Sequence, residues 1–384
     1  MKLIKLKDAF KIRKGKKVEP VKVPGENTVR YIQIEDLRDN HNPKFCQMQE
    51  GYIYAKKDNI IIAWDGANAG TVSYGIEGVI GSTLAVLETD LEEIYTPYIG
   101  KFLQSKFQYL RNTSTGATIP HISRKALENL EIPLPEVEKQ KLISKTLDQA
   151  QELIDKRKSQ IEALDQLTQS VFLEMFGDQA AEKVPLSKIC DINPTKNEIR
   201  DINDDLEVSF VPMSKVSEKG DIDLTETRKV KEVNKGFTYF KENDVLFAKI
   251  TPCMENGKGA IARNLRNGIG FGSTEFHVLR PKENISSEWL FYLTSLPEFR
   301  TAAEMSMTGS AGQKRVPKQF FDQYKTTIPT IDDQKSFIQI IYHIQKQKEV
   351  FKQSLLKLQD MQQSIFQRAF KGELFTEKEE VSAL

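Results

Sequence analysis

Cysteine and histidine are scarce, three and four in 384 residues. Cys46, Cys190 and Cys253 are far apart and odd in number, so they form no disulfide framework and fit a reducing compartment, the cytoplasm. No C-x-x-C occurs, and His41, His121, His277 and His343 are scattered, so the four close ligands of a structural zinc are missing and no metal is expected. Charge of one sign is also missing. Basic residues number 55 and acidic ones 54, a net charge of +1, so no uniform field exists to hold a polyanion and any nucleic-acid site must be a local patch. The longest apolar run, Ile60 to Trp64, cannot cross a bilayer, and the opening MKLIKLKDAF breaks each apolar stretch with Lys, leaving no signal-peptide core. G-x-S-x-G, a phosphate-cradling Walker loop and H-E-x-x-H are absent too, which argues against catalysis by the chain itself. What remains is a globular chain, 39% hydrophobic and 28% charged, long enough for two or three domains.

The chain does contain a repeat. IPLPEVEKQK, Ile132 to Lys141, is echoed by TIPTIDDQK, Thr327 to Lys335, with Pro135 aligned to Pro329 and Gln140 to Gln334. The same 194-residue offset matches Ser170-Val171-Phe172 to Ser364-Ile365-Phe366 and Phe176 to Phe370. Upstream it matches Ile122, Leu127 and Leu130 to Val316, Phe321 and Tyr324. Earlier correspondences drift in register, as loop insertions would cause: VRYIQIEDL with VSFVPMSKV, DNIIIA with NDVLFA, GSTLAVLE with GSTEFHVLR.

Each copy has two parts with different periodicities. In the tail of the first, positions spaced alternately by four and three carry Ile143, Leu147, Ala150, Ile154, Arg157, Ile161, Leu164, Thr168, Val171 and Met175. The second copy has Phe337, Ile341, Ile344, Lys348, Phe351, Leu355, Leu358, Gln362, Ile365 and Ala369 in the same phase. Such spacing marks a coiled-coil seam. No Pro or Gly interrupts Glu136 to Phe176 or Asp332 to Lys371, so each stretch can be one helix of about 40 residues, about 60 Å long. Pro135 and Pro329 precede the helices, acidic first turns suit the helix dipole, and Gly177 and Gly372 stand where left-handed C-terminal caps are expected. Two helices with identical apolar seams should pack together, antiparallel in a duplicated chain.

The remaining parts are mixed α/β. Strands are expected at Arg30 to Ile34, Ile60 to Trp64, Thr71 to Tyr74 and Leu84 to Leu87, and at Val208 to Pro212, Val245 to Ile250, Ala260 to Ala262 and Phe276 to Leu279. DGANAG, Asp65 to Gly70, and TPCMENGKG, Thr251 to Gly259, read as hairpin loops whose exposed amides are also suited to meeting phosphate. Helices are expected at Tyr95 to Gln108 and Glu288 to Met305. The expected division is 1–135 and 178–328 for the mixed domains, 136–177 and 329–371 for the helices, and 372–384 for an acidic tail.

Positive charge is concentrated locally. Lys2, Lys5, Lys7, Lys11, Arg13, Lys14, Lys16 and Lys17 face one acid, Asp8, within the first 17 residues. Lys314, Arg315 and Lys318 follow TGSAGQ in the second copy, where the first has His121, Arg124 and Lys125 after TGAT. Recurrence at equivalent positions favours DNA as the polyanion over a merely solvated surface.

The order of these parts, found twice, resembles the DNA-specificity (S) subunits of type I restriction–modification enzymes. It is carried by Thr115-Gly116 and Thr308-Gly309 before a short helix, by the I-P-L-P phrase with its Gln, and by long helices ending in F-G or F-K-G. PLPEVEKQ and PTIDDQ depart from the family's P-L-P-P-L-x-E-Q. The resemblance implies two tandem target recognition domains, each reading half of a split, asymmetric site in double-stranded DNA. It implies that the helical pair is a spacer that docks two methyltransferase (M) subunits, with restriction (R) subunits joining through the complex. S-adenosylmethionine, ATP and Mg²⁺ would then belong to those partners, and this chain would hold no cofactor and touch no membrane.

Within such domains Lys and Arg would contact phosphates, while Arg, Asn, Gln and Thr could read base edges. The candidates are Lys14, Lys16, Lys17, Asn68, Thr115, Thr118, His121 and Arg124, then Lys249, Asn256, Lys258, Ser310, Gln313, Lys314 and Arg315. A self-contained methyltransferase is disfavoured because Asn193-Pro194 is followed by Thr195 and Lys196 instead of a stacking aromatic. The acidic trio Asp221, Asp223 and Glu226, a conceivable nuclease cluster, has no counterpart in the first copy. Two alternatives remain open: a coiled-coil scaffold that does not read DNA, and a specificity subunit of a modification-only system.

Overall fold

Both copies of the repeat fold into the same three sheets. The computed structural model describes residues 2–39, 42–116, 119–177 and 182–375. The chain divides into two compact units, the first of residues 1–158 with 353–384, the second of residues 159–352. Thr118 and residues 376–384 of the tail lie outside the described residues.

In the first unit an antiparallel sheet runs Lys11–Lys14, Leu84–Glu88, Ile60–Ala63, Val72–Tyr74. The second unit repeats it as Cys190–Ile192, Phe276–Pro281, Val245–Ala248, Gly259–Ile261. Every residue of Ile60–Ala63 and Val245–Ala248 is buried, which is why these strands read as continuous apolar runs without alternation. A second sheet in each unit contains one parallel pair, Thr28–Ile32 with Gly78–Ile80 and Glu207–Val211 with Ile269–Gly272. A two-stranded ribbon completes each: Lys2–Lys5 with Glu131–Leu134, and Lys183–Pro185 with Lys325–Thr327. The loops Asp65 to Gly70 and Thr251 to Gly259 join antiparallel neighbours, as expected of hairpins, and Gly66, Gly70 and Gly257 take positive φ there.

Two long helices, Val137–Phe176 and Ile331–Lys371, each contribute one half to each unit. In the first unit Ile143 and Leu147 of one helix share a core with Ala369 of the other, and Gln362 Nε2 donates to Gln151 Oε1 at 2.8 Å. Phe370 packs on Tyr98 and Phe102, with centroids 5.5 and 5.3 Å apart. In the second unit Phe337 meets Phe172 and Phe176 edge-on, both at 5.4 Å, and Lys348 is ion-paired with Asp165. In each unit a step forward along one helix is matched by a step back along the other, so both pairings are antiparallel. None of the expected seam positions is exposed. Ile143, Leu147, Ala150, Ile154, Ile161, Phe337, Ile341, Ile344 and Ala369 are buried, while Leu164, Val171, Met175, Phe351, Leu355, Leu358 and Ile365 are half-buried. No helix among the described residues is long and apolar enough to cross a membrane.

Three local expectations are corrected. The helix expected over Tyr95 to Gln108 is two, Thr96–Ser105 and Phe107–Asn112, because Lys106 leaves helical geometry at φ −93, ψ 6. The one expected over Glu288 to Met305 is also two, Ser287–Ser295 and Pro297–Met305. Pro297 forces Leu296 into extended backbone and then starts the next helix at its first position. Gly372 takes the expected left-handed conformation at φ +78, but Gly177 does not: its N–H continues the helical ladder to Leu173 O at 2.7 Å.

Candidate nucleic-acid interface

Each unit carries a short closed loop beside its hairpin turn, and most of the basic candidates gather there. In the first unit Thr115 and His121 exchange backbone hydrogen bonds of 2.9 and 2.7 Å. Gly116 takes φ +96, where a Cβ would stand 2.4 Å from Ile119 O. The loop is tied to the hairpin by Gly66 N–H to Pro120 O and Ile122 N–H to Trp64 O, both 2.9 Å. In the second unit Thr308 and Arg315 exchange bonds of 3.0 and 2.8 Å. The ties recur as Thr251 N–H to Lys314 O at 3.0 Å and Val316 N–H to Lys249 O at 2.9 Å. His121 and Arg315 therefore close the two loops at equivalent positions.

A carboxylate holds the side chain at the closing position in each case. The Asp65 carboxylate binds His121 Nδ1 at 2.6 Å through one oxygen and Lys14 Nζ at 2.6 Å through the other. Burial works to raise the Asp65 carboxyl, but the bonds from Lys14 and His121 outweigh it and hold the group below the usual carboxylate range. In the second unit Glu275 takes Arg315 in a fork, Nε to one oxygen and Nη2 to the other, both 2.9 Å. Arg315 holds the Glu275 carboxyl low as well. Beside them half-buried Lys249 is shifted down by desolvation.

Below the second loop, His277 is buried at 4% exposure. Its Nε2–H donates to Val316 O at 2.8 Å. The Asn193 side chain accepts from Val278 N–H through Oδ1 at 2.9 Å, so its Nδ2 donates to His277 Nδ1 at 3.0 Å. Burial pushes the imidazole down to about 4, and the neutral ring satisfies every partner. Asn193 at φ +54 thus serves a turn that buttresses the loop. The acidic trio does not converge on one point: Asp223 pairs with Lys215, Asp221 accepts from Ser217, and Glu226 binds Arg228.

The other candidates differ in exposure and partners. Lys16, Lys17 and Thr115 are exposed in the first unit; Asn256, Ser310, Gln313 and Lys314 are exposed in the second. Asn68 accepts from Arg38 Nη2 at 2.5 Å, Arg124 is paired with Glu128 at 2.7 Å, and Lys258 Nζ donates to Met213 O at 3.3 Å. Sequence reasoning did not single out Arg38, Asp65 or Glu275. Their partners lie 30 to 56 positions away, and acids beside a basic patch read as charge-cancelling noise until the fold brings them together.

The family model for the type I restriction modification DNA specificity domain matches residues 1–164 and 180–359. The specificity subunit of the type I restriction enzyme EcoAI from Escherichia coli is 44% identical over 159 residues, 41% of this chain. The EcoEI specificity subunit of the same organism is 42% identical over an equal stretch. This chain spans 26% of the length of each. The MjaVIII specificity subunit of Methanocaldococcus jannaschii is 25% identical, with 97% of this chain and 92% of that protein aligned. Among solved structures, a chain from work on the complex assembly and conformational transition of the type I R-M system superposes with a TM-score of 0.63. It is 16% identical over 97% of this chain and 98% of the other, a likeness of fold.

Proposed function

We propose, from the premise that this chain belongs to the type I restriction modification DNA specificity family, that it is the non-catalytic, sequence-reading subunit of such a system. Each unit reads one half of a bipartite, asymmetric site in double-stranded DNA. The observation that carries this reading is the closed loop repeated in both units with unlike side chains at its key position, His121 in one and Arg315 in the other. Equal scaffolds with unequal reading groups suit two different half-sites on one duplex. Two weak readers on one chain also gain affinity, because the second contact is intramolecular.

Lys16, Lys17 and Lys314, all exposed, serve as phosphate contacts that set register. The paired long helices fix the number of unread base pairs and dock two M subunits; R subunits join through the complex. S-adenosylmethionine, ATP and Mg²⁺ act in those partners, in the cytoplasm.

The test mixes the purified chain with plasmid DNA, then adds the M partner. The chain alone should bind DNA with an affinity that falls steeply with salt, and leave the DNA unmodified and uncut. Methylation should begin only when the partner is added. Methylation or cleavage by the chain alone would contradict this function, as would binding that is absent with the partner present.

A further inference from the structure

Arg315 differs from the other basic candidates in how its side chain is held. Nε and Nη2 each donate to Glu275 at 2.9 Å, and Nη1 donates to Gln313 O at 3.0 Å. The backbone beneath is pinned by the exchange with Thr308 and by Val316 N–H to Lys249 O. The guanidinium plane is therefore set before any ligand arrives. Glu275 occupies the Nε–Nη2 edge, and one hydrogen on each of Nη1 and Nη2, at the outer end of the guanidinium, is not taken by these bonds. The Arg315 side chain is 42% exposed.

Two acceptors side by side in one plane fit that end: O6 and N7 of guanine in the major groove, or two phosphate oxygens. The charge balance separates these choices. Glu275 cancels the Arg315 charge at contact distance, which weakens the pull on a phosphate but leaves the directed hydrogens intact. Lys314, next in sequence, is exposed and has no ion-pair partner among the described residues, so a better phosphate contact already stands beside it. In the first unit the equivalent His121 spends Nδ1 on Asp65 and keeps only Nε2, a one-point contact. A planar two-point fork is a feature of the second unit's loop.

We infer that Arg315 reads a guanine in the half-site of the second unit, with Glu275 as its positioning residue; the inference rests on the DNA-reading function proposed above. Held in plane, the fork loses little side-chain entropy on binding and rejects a base whose acceptors stand elsewhere.

The experiment selects bound duplexes from a randomised pool with the full chain in complex with its M partner, using wild type, R315K, E275A and E275D. Wild type should enrich two blocks. R315K should lose one guanine from one block only, with roughly 5- to 150-fold lower affinity for the wild-type sequence. E275A should blur the same guanine, and E275D, which keeps the carboxylate, should retain part of the preference. A probe with 7-deazaguanine at that position should bind wild type roughly 5-fold or more weaker, and R315K no differently from the natural base. Because the deaza probe alters only the DNA, it needs no variant to fold. If R315K and E275A keep every enriched base, or lower affinity for all sequences alike while the salt slope drops by about one, Arg315 is not a base reader and DNA reading still stands. Failure of the wild-type complex to enrich any sequence would sink both.

Discussion

Gln140 and Gln334 make the same three hydrogen bonds in their respective units. Gln140 Oε1 accepts from Tyr95 N–H at 2.9 Å while its Nε2 donates to Glu93 O and Pro135 O, both 2.8 Å. Gln334 Oε1 accepts from Ser286 N–H at 2.7 Å while its Nε2 donates to Asn284 O at 2.8 Å and Pro329 O at 3.4 Å. Both amides are buried, 0% and 3% exposed. Each ties the start of a long helix to the loop before the helix of its mixed domain.

Removing either amide strands buried backbone groups. Gln140→Ala and Gln334→Ala should each lower the unfolding free energy by about 2 kcal/mol. Denaturant melts of the two variants would check this, and a loss under about 0.5 kcal/mol in both would show that the clamp is not structural.

Lys348 stands at a seam position, 5% exposed, with its charge answered by Asp165. A buried charge stripped of its partner is costly, whereas an apolar replacement of similar length avoids the cost altogether. Asp165→Asn should therefore destabilise by about 2 kcal/mol, and Lys348→Met should be neutral or stabilising. If the two substitutions destabilise equally, the pair contributes net stability and this reading of the seam is wrong.

His277 gives the second unit a pH response. Its folded-state pKa is about 4 against an ordinary 6.5, so between those values the unfolded chain binds more protons than the folded one. Its contribution is complete above pH 6.5 and is lost as pH falls toward 4, by up to about 3 kcal/mol. Protonation would also set Nδ1–H against the Asn193 amide, beneath the loop that ends in Arg315 and Val316. The position aligned to it in the first copy is Ala85, so hydrogen exchange between pH 7 and 4.5 should loosen the Thr308 to Arg315 loop more than the Thr115 to His121 loop. Equal loosening of the two, or a His277→Gln variant with the same pH dependence, would contradict the assignment.

Seven residues inserted at matched positions in both long helices add about 10.5 Å of helix, about three base-pair steps of B-DNA. The unread spacer should grow by about three base pairs while both half-sites stay unchanged. An unchanged spacer in the variant's methylation pattern would remove the proposed spacing role of the helices.

Long-period features were legible in the sequence because they are written locally and twice. The seam shows as apolar residues three and four apart, and the Gln140 to Gln334 alignment shows as a shared phrase, although its hydrogen bonds do not. The hairpin strands were legible because both faces of Ile60–Ala63 and Val245–Ala248 are buried. Lys44–Gln47 and Thr227–Lys229 were not, since each is a short polar edge strand defined by a partner elsewhere in the chain. The break at Lys106 carries no Pro or Gly to announce it, while the break at Leu296 was available from Pro297. Basic candidates could be named from composition; the acids that aim them, Asp65 and Glu275, could be found only once folding set them beside His121 and Arg315.

The most direct measurement is a methylation map of DNA from cells expressing this chain with an M partner. The expected result is one asymmetric motif made of two unlike blocks with a constant unread gap, and modification that disappears when this chain is omitted. A single continuous motif, two identical half-sites, or modification that persists without the chain would contradict the claim that two unlike units read one split site.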